Sequence, residues 1–186
     1  MRLLVTGSAV RGLPVVTIAG GEDVAEVRDL IYNPEAGRLL GVTLNKRGFL
    51  AGRRREVLPA EKIHAIGRDA VMVQDENSLV LPEAAPDEVG EPPSGRDVTG
   101  NEVLTEQGKS LGKVKDVVVL VGSDGEVVGY EIEPASGGTG YIPLPSQLAI
   151  SGSALVVPDP TEDYVRADLV GLGAAVDEFR SRLGMK

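Results

Sequence analysis

The same blocks of sequence occur twice along this chain, in the same order. Val24-Ala25-Glu26-Val27-Arg28-Asp29-Leu30-Ile31 is answered by Leu111-Gly112-Lys113-Val114-Lys115-Asp116-Val117-Val118. A turn follows in each case, Asn33-Pro34-Glu35-Ala36-Gly37 in one and Gly122-Ser123-Asp124-Gly125 in the other. Next come Leu39-Leu40-Gly41-Val42-Thr43-Leu44 and Val127-Val128-Gly129-Tyr130-Glu131-Ile132. Further on, Leu58-Pro59-Ala60 aligns with Leu144-Pro145-Ser146, and Ala70-Val71-Met72-Val73 with Ala154-Leu155-Val156-Val157. One such match is ordinary for short apolar runs; a conserved order of several is the mark of a duplicated unit.

The blocks read as strands. They are short, β-branched and bounded by Gly, Asn, Asp and Pro. Leu40, Val42 and Leu44 fall on one face of their block, as Val128, Tyr130 and Ile132 do in the copy. Gly125 supplies a positive φ at a turn, and Gly41 and Gly129 lie inside strands, where a bend or a close backbone approach calls for them. The expected fold class is all-β: two small β-barrels in tandem, residues 1–80 and 96–158. Residues 81–95, rich in Pro, Gly and acid, read as the linker.

The tail, residues 159–186, changes period. Asp159 is placed as an N-cap, with Pro160 at the first helical position and Glu162 three residues past the cap. Val165, Leu169, Leu172, Val176, Phe179 and Leu183 then step by fours and threes, which predicts one amphipathic helix over 160–183. Gly171 and Gly173 weaken it, so the stripe must be buried. It either docks on a barrel of its own chain, pairs with the same helix in a homodimer, or receives a partner.

The blocks Gly112 to Val118 and Val127 to Ile132, the Asp124-Gly125 turn and Tyr141-Ile142-Pro143-Leu144 resemble the PRC-barrel family. That family includes the cytoplasmic domain of the photosynthetic reaction-centre H subunit and the C-terminal domain of a ribosome maturation factor. The likeness covers residues 96–158 well and 3–75 less well, with Ala25 standing where the second copy has Gly112. It implies two PRC barrels, a non-catalytic role and a protein partner of unstated identity. It argues fold more than function.

Chemistry is sparse. Cysteine is absent and His64 is the single histidine, so no thiolate, zinc cluster or other cofactor site is expected. His64 reads as a half-exposed strand residue. Asp29 and Asp116 correspond through the repeat; as an acid–base pair they would lie in different barrels, so a structural role, accepting backbone N–H groups, is expected. Gly137-Gly138-Thr139-Gly140 lacks the Lys-Ser/Thr and the helix that a phosphate cradle needs.

One basic cluster stands out: Lys46 and Arg47, then Arg53, Arg54 and Arg55, around Phe49 in an expected hairpin. It could meet an acidic protein surface, RNA or anionic lipid, with Phe49 free to stack on a base. It could equally be a solvated loop closed by its own salt bridges. Residues 1–80 hold 11 Lys+Arg and 10 Asp+Glu, net +1, leaving 8 and 18 of the chain's 19 and 28 for residues 81–186, net −10. A polyanion is therefore repelled by the second half. Missing export and membrane-spanning signals lead to the expectation of a cytoplasmic protein. Two function classes follow: an interaction or scaffold protein that contacts a protein partner, and a ribosome- or RNA-associated assembly factor using the basic hairpin.

Overall fold

The computed structural model describes residues 3–48, 51–90, 97–122, 125–146 and 148–184. The first copy contributes β1 (Leu4–Thr6), α1 (Gly7–Val10), β2 (Pro14–Thr17), β3 (Asp23–Asn33), β4 (Arg38–Asn45), β5 (Arg53–Pro59), β6 (Ile63–Ile66), β7 (Val71–Val73) and α2 (Asp87–Gly90). The second contributes β8 (Glu102–Thr105), β9 (Ser110–Leu120), β10 (Val127–Glu133), β11 (Gly140–Pro143), β12 (Ala149–Ile150), β13 (Ala154–Val157) and α3 (Leu169–Arg182).

The two sheets run in the same order, β5-β4-β3-β2-β7-β6 and β11-β10-β9-β8-β13-β12. In both, the first long strand pairs antiparallel with its neighbours while β2–β7 and β8–β13 are parallel. Even the irregularities recur. Arg28 and Lys115 are the unpaired extra residues of a bulge on β3 and β9, and Leu40 and Val128 those of a second bulge on β4 and β10. A bulge twists and bends its strand, so the two copies bend at the same places.

Gly41 pairs with Ile31 and Pro59, and Gly129 with Val118 and Pro143. A Cβ on Gly41 would meet the Leu58 carbonyl oxygen at 2.6 Å, and one on Gly129 the Ile142 carbonyl oxygen at 2.2 Å. Both glycines thus serve close backbone approach. By this register Leu58-Pro59 corresponds to Ile142-Pro143, two residues before the Leu144-Pro145 that local sequence similarity suggests.

The copies interlock. β1, from the first copy, pairs along β9 of the second, Leu4 opposite Leu120 and Thr6 opposite Val118. One apolar core runs through both, from Val15, Val27 and Leu58 to Val103, Tyr130 and Ile142.

The ends of the copies also correspond, which sequence spacing concealed. After β7 the chain returns to bridge Val57 through Val80, and after β13 it returns to bridge Tyr141 through Arg166. Val57 and Tyr141 are equivalent by register. Each chain segment then covers the same outer face: Val89 packs on Ile31, Leu40 and Val57, while Leu172 and Val176 pack on Leu4, Val118 and Val128. So residues 81–90, expected to be linker, close the first copy as α3 closes the second.

The helix begins later than the stripe predicts. Residues 159–164 form a 3-10 turn, and Arg166 exchanges both backbone hydrogen bonds with Tyr141 at 2.8 and 2.9 Å. Those groups are committed to a strand pairing and cannot enter a helix. Asp168 is the true N-cap, accepting the Gly171 N–H at 2.6 Å. Asp159 instead accepts from the backbone N–H and side-chain amide of Gln107. Val165 consequently lies outside the helix.

Candidate interaction surfaces

The basic cluster sits on the β4–β5 hairpin, closed by Lys46 N–H to the Gly52 carbonyl at 2.9 Å. Phe49 lies outside the described residues. Arg53, Arg54 and Arg55 belong to β5 itself, an end strand of the sheet path, where charged side chains discourage another chain from pairing. Most of the cluster is already engaged. Arg47 meets Asp23 at 2.7 Å and Glu26 at 2.9 Å. Arg55 meets Glu83 at 2.7 Å. Arg54, its side chain only 17% exposed, binds Glu56, Glu76 and the Val24 carbonyl. Burial would lower the pKa of the Arg54 guanidinium, but its bonds to Glu56 and Glu76 outweigh burial and hold it raised. Glu56 is held below the usual carboxylate range by its own backbone N–H and by Arg54. Of the two readings the sequence allows, the hairpin is the one closed by its own salt bridges: Arg53 and Arg55 are exposed and Arg54 is half-buried, and of the five cations Lys46 and Arg53 make no ion pair among the described residues.

Asp29 and Asp116 occupy the same register position, each accepting the N–H of the residue that follows it, Leu30 at 2.9 Å and Val117 at 2.8 Å. Arg11 reaches both carboxylates, at 2.8 Å and 3.5 Å. Asp116 also accepts the Ser8 N–H at 2.6 Å. A Cβ at position 7 would meet Asp116 Oδ1 at 2.6 Å, so Gly7 makes that approach possible. The group fastens the copies together. Nothing in the sequence marks Arg11, which stands in a turn before Gly12.

The stripe of α3 is covered by its own chain. Leu172, Val176 and Phe179 are buried, and Leu169 and Leu183 are half-buried. Phe179 meets the Tyr164 ring edge-on at 5.1 Å, and Arg166 and Arg182 stand near that ring at 5.6 and 5.7 Å. The opposite edge of the helix faces solvent, with Val170 74% exposed. Beside it Leu3, Leu4, Gly173 and Ala174 line an open cleft of about 400 Å³.

His64 is exposed on β6. Among the described residues, no three His, Cys, Asp or Glu side chains converge as a metal site, and no helix is long and apolar enough to cross a membrane.

The PRC-barrel domain model matches residues 4–80 and again residues 94–164, the two copies just described. The chain belongs to the PRC-barrel domain family. PRC-barrel domains are non-catalytic and are generally modules of protein interaction and scaffolding. No curated protein matches the chain. Both PRC matches reach past the last strand, to residue 80 and residue 164, where the returning segments begin to cover each sheet.

Proposed function

We propose that this tandem PRC protein is a scaffold that binds a protein partner through the outer surfaces of its two copies and the exposed edge of α3. The observation that carries this reading is the shared core and the pairing of β1 with β9, which hold two sets of outer surfaces in one fixed arrangement. Such a body suits the positioning of a partner. The buried stripe of α3 supports a contact through Val170 and its neighbours in preference to the stripe itself. The consumption of Arg47, Arg54 and Arg55 by carboxylates of their own copy weighs against a polyanion, because too few free cations remain to release many counterions.

Site-specific photo-crosslinkers at Arg53, at Val170 and at Ile18, an exposed apolar residue just past β2, used in native lysate with and without RNase, test this. Protein adducts that survive RNase are expected. Adducts that vanish with RNase, and binding to structured RNA that falls steeply with salt and is lost on alanine substitution of Arg53, Arg54 and Arg55, would establish the assembly-factor reading instead.

A further inference from the structure

The surface that joins the two copies is self-complementary. The Gly125 carbonyl accepts the Leu39 N–H at 2.8 Å, and the Gly37 carbonyl accepts the Val127 N–H at 3.0 Å. Gly37 and Leu39 hold in the first copy the places of Gly125 and Val127 in the second. The two bonds are therefore one bond made twice, about a local two-fold axis. Gly37 and Gly125 both take positive φ, 61° and 55°. An isologous contact of this kind is what joins two identical subunits in a dimer.

A residue at such an axis faces its own counterpart. Here Arg38 faces Glu126 in an antiparallel bridge. Because the flanking residues make the hydrogen bonds, this is the pair type whose side chains lie closest, with Cα atoms roughly 4.5 Å apart. Each residue has a second partner of opposite charge on its own closing segment. Glu88 lies 3.8 Å from Arg38, and Arg180 binds Glu126. Charge alternates across the boundary in the order Glu88, Arg38, Glu126, Arg180.

We propose that this face is a PRC-to-PRC docking surface and that Arg38 and Glu126 select its occupant, a PRC copy of opposite charge at the axis. In this protein the occupant is the other copy. Pairing of two first copies would set Arg38 against Arg38, and pairing of two second copies would set Glu126 against Glu126. Like charges directly opposite one another on paired strands are unfavourable, so the charge pair steers first copies to second copies and suppresses self-pairing.

The test uses the full chain with a protease site inserted between Gly90 and Asp97, cleaved after folding so that both copies remain in solution. Native mass spectrometry and gel filtration should show the wild-type fragments held as a one-to-one pair at micromolar concentration. Glu126→Arg in the same chain should weaken that pairing by about tenfold, the ratio produced by replacing opposite charges with like charges on facing strand positions. Reversing all four charges, with Arg38→Glu, Glu88→Arg, Glu126→Arg and Arg180→Glu, should restore most of it. Circular dichroism of the uncleaved Glu126→Arg chain checks its fold; should it be lost, Glu126→Gln replaces it, with a weakening of about threefold expected. Wild-type fragments that part on cleavage would overturn the docking surface. A charge variant that pairs as tightly as wild type, or a four-fold reversal no tighter than Glu126→Arg, would overturn the role of the charges.

Discussion

Asp29 and Asp116 stand at the same place in their two copies, and a single guanidinium, that of Arg11, reaches both. Their surroundings differ. The Asp116 side chain is 9% exposed and that of Asp29 is 57% exposed. Asp116 accepts two backbone N–H groups, one of them from the other copy, whereas Asp29 accepts one. Asp116→Ala takes the acceptor from the buried Val117 N–H and the part-buried Ser8 N–H and should cost about 2–4 kcal/mol in urea denaturation. Asp29→Ala should cost about 1 kcal/mol or less, since its ion pair is largely in water.

The strand glycines make a sharper comparison. Gly41→Ala and Gly129→Ala each drive a methyl group into a backbone carbonyl that cannot swing aside. Each should lower stability by about 1–3 kcal/mol. Gly52→Ala, at an exposed position with nothing within 4 Å of the added carbon, should change it by less than about 0.5 kcal/mol. Denaturant midpoints of the three variants check this.

Much of this fold is legible in the sequence. The strand blocks, their order and the equivalence of Asp29 with Asp116 and of Gly41 with Gly129 follow from local pattern, because alternation and turn residues are local properties. What escapes is what depends on distant pairing. β1 is three residues long and its partner is β9, so nothing near it in sequence indicates where it goes. The closing segments share a position and a bridge but no sequence, one ending in a helix of four residues and the other in one of fourteen. The sequence leaves the basic cluster open between free charge and salt bridges because, Glu56 apart, the carboxylates that hold it, Asp23, Glu26, Glu76 and Glu83, are remote along the chain.

The two sides of α3 should respond differently to truncation. Phe179 is fully buried against Tyr164 and Ala175. Phe179→Ala should cost about 3–5 kcal/mol. Val170→Ala, on the exposed edge, should cost less than about 0.5 kcal/mol while reducing partner capture. Thermal denaturation of both variants, beside crosslinking yield, separates a role in stability from a role in binding.

Burial lifts the phenol of Tyr32 to about 12, against a backbone N–H from Val98 that works to lower it. The unfolded phenol titrates near 10. The neutral form is therefore favoured by folding, and its contribution is intact below pH ~10 and lost as the pH rises through about 12. The stability difference between wild type and Tyr32→Phe should shift by about 2 kcal/mol across that window, to the disadvantage of wild type. Urea denaturation at stepped pH reads it; a constant difference would contradict the burial of this phenol.

The interlocking of the two copies about the Arg38–Glu126 bridge is open to one direct measurement. The natural chain has no cysteine, so an Arg38→Cys/Glu126→Cys double variant reports on that bridge alone. Facing residues of this pair type lie within the Cα separation a disulfide accepts. Under mild oxidation the variant should form an intramolecular disulfide nearly to completion, in a monomer that keeps the wild-type circular dichroism. Two thiols that stay free in the folded monomer, or that link only between chains, would contradict the joining of the copies at this axis.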